Sequence, residues 1–517
     1  MKFWQSKLIK GTLILTIAGI ISRLIGFAYK IYLADIFGSK FLGLYQLIFP
    51  VYGICFTIYG AGIQTAISQL IASSDTSEAS AKHKKVYSPY KILLTGCLIS
   101  LSAAILLSLT VFTFSDFIAA KLLLEKECAS YIRILAFLFP FCSISACICG
   151  YYYGIQNAKI PASAQIIEQI SRVAFVMGIC FALSFNNKTS PELNCVIATA
   201  GMTAGEFAGC LFNILAFSKN RHKNLKKASS QKYSKSSVMG ALLSLSIMLT
   251  STKLIISILH SVESIFIPAA LRKYGLSSSD ALSIYGILSG MAVPFILFPS
   301  AITTSFAVML LPSIAKAQAD EDFHKIKTSV TLTAKYSLII GWLFTCLFLI
   351  YGKRMGAVFF NCETAGAYIT ILAWLCPFLY LSTTFTSIIN GLGHTQFTFI
   401  TTVISLAVKI YFLIALVPVY GITAYLIGTL ISQILLTFMS AFHLKKYIVM
   451  DSVRWILLPC LFLCIIGISS RSLYMTIYNS FSGMPEMIIL GIISALITAL
   501  YAFLLLISKC IDLKEIG

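Results

Sequence analysis

Arg23 and Lys30 lie seven residues apart in one apolar run, and Lys253 and His260 repeat that spacing later in the chain. At about 100° per residue, seven positions return to nearly the same face of a helix. Each pair can therefore point one way. Glu263 follows His260 by three, close enough on a helix for a local contact. Arg172, Lys409, Glu168 and Glu206 also interrupt apolar sequence. Glu168 and Arg172 are four apart and can neutralise each other. Glu206 has no sequence-local partner and either pairs across helices or carries a proton. A charge at mid-bilayer costs about 2.5–3.5 kcal/mol on insertion scales, so such groups face protein or water and commonly serve function.

The sign of these charges narrows the chemistry. Arg23, Lys30, Lys253, Arg172 and Lys409 form a cationic set suited to phosphate or pyrophosphate, through charge-assisted hydrogen bonds and, for arginine, a bidentate fork. They are the candidate substrate-binding residues, although Lys30 also has the alternative of snorkelling to the nearer surface. Glu168, Glu206, His260 and Glu263 are candidates for ion coupling or ion pairing. A pore for cationic drugs would instead carry carboxylates at its centre. No glycine-rich phosphate loop with its lysine occurs, which argues against nucleotide hydrolysis as the energy source. The 15 cysteines fall mostly in apolar runs and read as small packing residues; the six histidines are scattered. Neither a metal centre nor a catalytic triad is indicated. The expectation is a transporter without covalent chemistry or cofactor, driven by membrane potential or a cation gradient. Arg133, Lys335, Arg454 and Arg471 lie near the ends of apolar runs, where interfacial placement is expected.

The elements that hold these residues are membrane spans. The 517-residue chain is 58% hydrophobic and 11% charged, where soluble chains carry roughly a quarter charged residues. Windows of about 20 residues, the length that crosses a hydrocarbon core, place spans at 8–34, 44–71, 90–112, 130–154, 161–184, 195–218 and 238–267. The rest fall at 281–311, 329–350, 367–391, 397–416, 422–443, 454–471 and 487–508. The first run follows Lys2 and Lys7 as a signal peptide would, but it is too long, contains Arg23 and leads straight into a second run. We read it as a retained span.

A net charge of +20 would suit nucleic acid if it were clustered on a soluble surface. Instead, with an internal N-terminus, internal loops hold 20 Lys or Arg and external loops 8. That asymmetry follows the positive-inside rule and puts both termini in the cytoplasm. The loop 219–237 contributes most, with Lys219, Arg221, Lys223, Lys226, Lys227, Lys232 and Lys235; contact with anionic inner-leaflet lipid is a secondary role for it.

This loop follows the sixth span, and the two sides of it match. At a shift of 237 residues Pro140, Phe141, Ser145 and Gly154 fall on Pro377, Phe378, Ser382 and Gly391; Arg172 falls on Lys409. At a shift of 230, Leu13, Ile17, Arg23 and Ile25 fall on Leu243, Ile247, Lys253 and Ile255. Both repeats join spans of like orientation, as in transporters whose halves are related by an axis along the membrane normal. The expected fold class is all-α and polytopic: about fourteen transmembrane helices, two six-helix pseudo-symmetric lobes around a central cavity, and two extra C-terminal helices. The divisions are 1–218, a linker 219–237, 238–443, and an accessory region 444–517. Pro50, Pro140, Pro294, Pro299 and Pro377, with Gly26, Gly60 and Gly62, supply bends or close packing between helices.

The stretch Ser22-Arg23-Leu24-Ile25-Gly26-Phe27-Ala28-Tyr29-Lys30, with Gly11 to Ile17 before it and Gly43 to Pro50 after it, resembles the stage V sporulation protein B family. Gly154-Ile155-Gln156-Asn157, Gln165 to Val173 and Leu310 to Ala315 add to the resemblance, which covers both halves. That family belongs to the multidrug, oligosaccharidyl-lipid and polysaccharide exporter superfamily. The resemblance implies a two-lobed fold in the cell membrane, alternating access, and translocation of a polyprenyl-pyrophosphate-linked cell-wall precursor, lipid II for spore cortex. Arg23 matches a cavity arginine of such flippases; the next arginine of the pattern meets Tyr29, with Lys30 one place later. The implied partners are a lipid-linked anionic saccharide and membrane lipids, with cell-wall synthesis enzymes as further candidates and no nucleic acid. The alternatives are a flippase for another lipid-linked polysaccharide unit, a cation-coupled drug exporter, and a non-transporting scaffold for cell-wall enzymes.

Overall fold

The computed structural model describes residues 7–75, 88–184, 190–228, 238–448, 453–480, 484–508 and 510, and among them there is no strand. In lipid every backbone N–H and C=O must be satisfied within the protein, which a helix does along its own axis. The principal helices are α1 (Lys7–Leu47), α2 (Gly62–Asp75), α3 (Pro89–Thr113), α4 (Phe139–Gly154), α5 (Lys159–Ser184), α6 (Pro191–Ala228) and α7 (Val238–Lys273). They continue as α8 (Ser300–Ala319), α9 (Phe323–Phe360), α10 (Cys376–Gly391), α11 (Thr395–Tyr411), α12 (Ile422–His443), α13 (Leu458–Ser480) and α14 (Glu486–Ile507). The chain is an all-α polytopic membrane protein.

Among the described residues, 12 helical stretches are long and apolar enough to cross a membrane, or 13 if a pair bent by 49°, Lys126–Ala136 and Phe139–Gly154, counts as one span. The first stretch, Ile14–Ser73, has 60 residues. At 1.5 Å per residue it would measure about 90 Å, roughly three hydrocarbon thicknesses. It is broken at Gly38, whose backbone adopts φ 69° and ψ 170°, a conformation that side-chain-bearing residues resist. The reading of about fourteen spans counts its two limbs apart. Pro50, Pro140, Pro294 and Pro377 each stand in the first turn of a helical segment, where the missing N–H leaves no bond unmade. Wide five-residue-type turns interrupt the runs at Thr57–Ala61 and Ile287–Ala292.

The basic loop divides at residue 228: α6 runs on through Lys219 to Ala228, and 229–237 lie outside the described residues, as do 511–517 of the C-terminal region. The chain forms two compact units: residues 1–29, 36–269 and 278–283 in the first, and 30–35, 270–277 and 284–517 in the second. The larger part of α7 therefore packs with the first unit.

Each unit repeats the same helix contact. In the first, α4 lies so close on α2 that a Cβ on Gly154 would meet Ile71 Cβ at 2.7 Å and Ser68 O at 3.0 Å, and one on Gly150 would meet Gln64 O at 2.6 Å. In the second, a Cβ on Gly391 of α10 would meet Ile314 Cβ at 3.1 Å and Leu311 O at 3.0 Å on α8. Ser387, which takes the place of Gly150, donates to Ala307 O. The helices α4 and α10 begin and end at the same shift of 237 residues that aligned their sequences. Apolar cores fill in behind these contacts, around Ile67, Ile71, Leu93, Cys147 and Tyr151 in the first unit and around Ile314, Val330, Phe385, Ile388 and Trp455 in the second.

Candidate functional site

The charges of the first unit gather where α5 and α6 approach most closely. Gly201, Gly205 and Gly209 recur every four residues along α6, and a Cβ on Gly205 would lie 2.8 Å from Glu168 O and 3.0 Å from Arg172 Cβ. Small residues at this spacing let membrane helices approach backbone to backbone. On α5, Arg172 forms an ion pair with Glu168 and donates to Gln169 Oε1 at 3.4 Å. Glu206, on α6 next to Gly205, is only 9% exposed and lies beside Glu168, Arg172 and Cys142. The local neutralisation open to Glu168 and Arg172 is thus formed, and Glu206 finds its neighbours across helices. The helix α1 reaches the same place: a Cβ on Gly26 would stand 3.2 Å from Gln169 Nε2.

Lys253 belongs to a second arrangement in this unit. Gly62 of α2 lies against Thr250 and Ser246 of α7, and one turn further on Lys253 Nζ donates to Ala61 O and Thr65 Oγ1, both at 2.9 Å. An ammonium has three N–H donors. Two are held by neutral oxygens, so the positive charge is oriented but not cancelled. Arg23 is exposed and makes no hydrogen bond or ion pair with the described residues. Lys30, half-buried, likewise has none among them; it belongs to the second unit and Arg23 to the first. His260 Nδ1 stands 3.3 Å from Glu263 Oε2, as their spacing allows.

In the second unit Lys409 lies over the ring of Tyr425, 5.4 Å from its centroid. Lys335, within α9, is packed inside the protein at 7% exposure. Arg133 is bonded to Ser115 Oγ at 2.8 Å and to Asp116 Oδ2 at 2.5 Å. The last two helices are tied to α9 by Arg354, which meets Glu486 Oε1 at 3.0 Å and the Tyr474 hydroxyl at 3.1 Å. An apolar groove of about 520 Å³ runs along α9 and α13, lined by Trp342, Leu349, Cys464 and Gly467 among others.

Several polar groups at these places carry no charge and escaped the sequence reading. Tyr59 is wholly buried, with its hydroxyl beside the Cys142 thiol. Asn213 is 1% exposed and donates to Ser145 Oγ at 3.3 Å; it lies two turns from Glu206 on the same face of α6, a spacing that could have singled it out. Among the described residues no three His, Cys, Asp or Glu side chains are arranged to hold a metal ion. The arrangement provides oriented cations and a buried acid–base cluster.

Comparison with known proteins agrees with this fold. The lipid II flippase MurJ in an inward closed conformation superposes with a TM-score of 0.66 at 16% identity, covering 95% of this chain and 98% of that one. An inward-facing MATE family multidrug resistance transporter gives 0.58 at 13% identity over 84% and 98%. In sequence, stage V sporulation protein B of Bacillus subtilis is 24% identical over 98% of this chain and 96% of its own length. The lipid II flippase MurJ of the same organism is 22% identical over 83% and 81%. A family model described as polysaccharide biosynthesis protein matches residues 8–318, more than half of the chain, and the protein is a member of that family.

Proposed function

We propose that this protein is a flippase for a polyprenyl-pyrophosphate-linked saccharide, the cell-wall precursor lipid II, used in spore cortex synthesis. The observation that carries the reading is the pair of uncancelled cations in the first unit: Arg23, without a protein partner among the described residues, and Lys253, held by two neutral oxygens. A cation within a membrane span is costly unless it meets water or an anion, and a pyrophosphate is an anion that both side chains can bind. Arg172 of the first unit, and Lys30 and Lys409 of the second, are further candidate substrate-binding cations. The named relatives support the cargo: one is a sporulation protein and another a lipid II flippase. The groove along α9 and α13 suits an apolar polyprenyl chain. No covalent step on the protein is needed, and the energy would come from membrane potential or a cation gradient. In this reading the protein sits in the cell membrane with both termini cytoplasmic.

Proteoliposomes containing purified protein and fluorescent lipid II provide the test. Headgroup translocation is expected with the parent chain and is lost with Arg23→Ala. Absence of translocation by the parent chain, with the protein inserted and folded, sinks the reading. Translocation of a different polyprenyl-linked saccharide in preference to lipid II moves the cargo to another cell-surface polysaccharide.

A further inference from the structure

Gln169 of α5 stands beside the Glu168–Arg172 pair and is half-buried. A side-chain amide accepts at its oxygen and donates twice at its nitrogen, so its neighbours decide which way round it stands. Arg172 donates to Gln169 Oε1 at 3.4 Å, and a guanidinium has donors only. The oxygen must therefore face Arg172. The nitrogen is turned towards α1, where a Cβ on Gly26 would stand 3.2 Å from Nε2. The missing side chain at Gly26 gives the amide its place.

Gln169 Nε2 makes no hydrogen bond to the described residues. Two unpaired N–H groups inside a span are costly unless they meet water or a ligand. Arg23 lies one turn before Gly26 on α1, and residues three apart share a helix face. It too is exposed and without a partner among the described residues, and both groups belong to the first unit. A guanidinium and an amide nitrogen together offer donors and no acceptor, which suits a ligand built of acceptor oxygens. The guanidinium fork takes two oxygens of one phosphoryl group. A monophosphate held that way leaves the amide unpaired, whereas a diphosphate brings it a second set of oxygens.

We propose that Gln169 is a second phosphoryl contact of the transport site and that, with Arg23, it selects a diphosphate-linked lipid over a monophosphate-linked one. Gln169 Nε2 donates to an oxygen of the phosphoryl group next to the one held by Arg23. Arg172 is a positioning residue: paired with Glu168, it holds the amide oxygen and so aims the nitrogen. Gly26 leaves the room that the amide occupies. The inference deepens the flippase reading and rests on it for the class of ligand.

The test measures the affinity of the full chain in lipid nanodiscs for two probes of the same chain length, polyprenyl diphosphate and polyprenyl monophosphate, at one ionic strength. The parent chain is expected to bind the diphosphate more tightly. Gln169→Met keeps the length of the side chain and removes its amide; it should lower diphosphate affinity about tenfold, the order of one hydrogen bond to a charged group, and change monophosphate affinity less than about twofold. Gly26→Ala crowds the amide from the other helix and should lower diphosphate affinity selectively, by a few-fold. Alanine favours a helix over glycine, so this variant serves if Gln169→Met fails to fold. Arg172→Lys leaves Glu168 a cation but lacks the second arm that holds Oε1, and should show the same selective loss. The proposal is overturned by equal affinities in the parent chain, by an unchanged diphosphate affinity in folded Gln169→Met or Gly26→Ala, or by any of the three variants lowering both affinities alike. If the parent chain still translocates lipid II in proteoliposomes, such a result removes the role of Gln169 and leaves the flippase standing. Selective binding that depends on Gln169, without translocation, keeps the contact and removes the flippase. A folded parent chain that binds neither probe and translocates nothing removes both.

Discussion

Lys253 Nζ donates to Thr65 Oγ1 at 2.9 Å, across the junction of α7 and α2. The same nitrogen holds Ala61 O, the last residue of the wide turn Thr57–Ala61. The ammonium is aimed without being neutralised. Lys253→Met keeps the stem but removes the charge, and is expected to reduce lipid II translocation in proteoliposomes by about tenfold or more, since a hydrogen bond to a charged group is worth about 1.5–3 kcal/mol. Thr65→Val removes only an orienting contact and should cost less. An equal or greater loss from Thr65→Val would show that Lys253 serves to tie α7 to α2.

Arg23 is separated from Lys253 by chemistry as well as by position. A guanidinium offers two parallel N–H donors to a phosphate, and an ammonium offers a point charge. Arg23→Lys should therefore retain part of the transport rate, roughly a tenth, and Arg23→Ala should fall about a further tenfold. Initial rates at saturating and limiting substrate separate binding from turnover. Full activity in Arg23→Lys would mean that charge alone suffices there.

The glycines of α5 and α6 give a paired prediction on stability. Replacing a helical glycine by alanine ordinarily gains about 1 kcal/mol of helix propensity. At Gly178 of α5 a Cβ meets nothing within 4 Å, so Gly178→Ala should hold or raise the melting temperature. At Gly205 it meets a backbone carbonyl at 2.8 Å and the Arg172 side chain at 3.0 Å, and overpacking of about 1–3 kcal/mol outweighs the gain. Gly205→Ala should melt lower than the parent chain in the same detergent. Similar behaviour of the two variants would mean that α5 and α6 are not in backbone contact in the membrane.

What the sequence revealed of this arrangement follows from the range of the forces involved. Spans were legible because insertion sums hydropathy over 20 neighbouring residues, and the repeat because Pro140, Gly154, Pro377 and Gly391 mark helix starts and close contacts that both halves need. The Glu168–Arg172 and His260–Glu263 contacts were legible because they lie within one helical turn. The position of Glu206 beside Glu168 was not, since it depends on how α5 packs on α6. Lys253 was recognised as a buried cation, but its oxygen partners lie about 190 residues earlier and carry no charge to draw attention. Gly38 falls between two expected spans, yet nothing in its neighbours announces that the helix resumes beyond it. The burial of Lys335 within the protein was not legible, since it depends on which helices pack against α9.

The attachment of the last two helices permits a prediction ordered by burial. The Arg354–Glu486 pair is about half exposed on the arginine side and 30% exposed on the glutamate side, and an ion pair so placed is worth roughly 0–1 kcal/mol. Tyr474 is 3% exposed, donates to Glu486 at 2.5 Å and accepts from Arg354 at 3.1 Å. A hydrogen bond from a buried hydroxyl to a carboxylate is worth about 1.5–3 kcal/mol, so the tyrosine should hold more of the attachment than the salt bridge does. Amide hydrogen exchange over the first turn of α14 is expected to rise modestly in Arg354→Met and further in Tyr474→Phe. High salt should reproduce the first effect and leave the second, because screening weakens exposed pairs much more than buried ones. Exchange that rises more in Arg354→Met than in Tyr474→Phe would reverse the assignment and make the ion pair the main tie between α14 and α9.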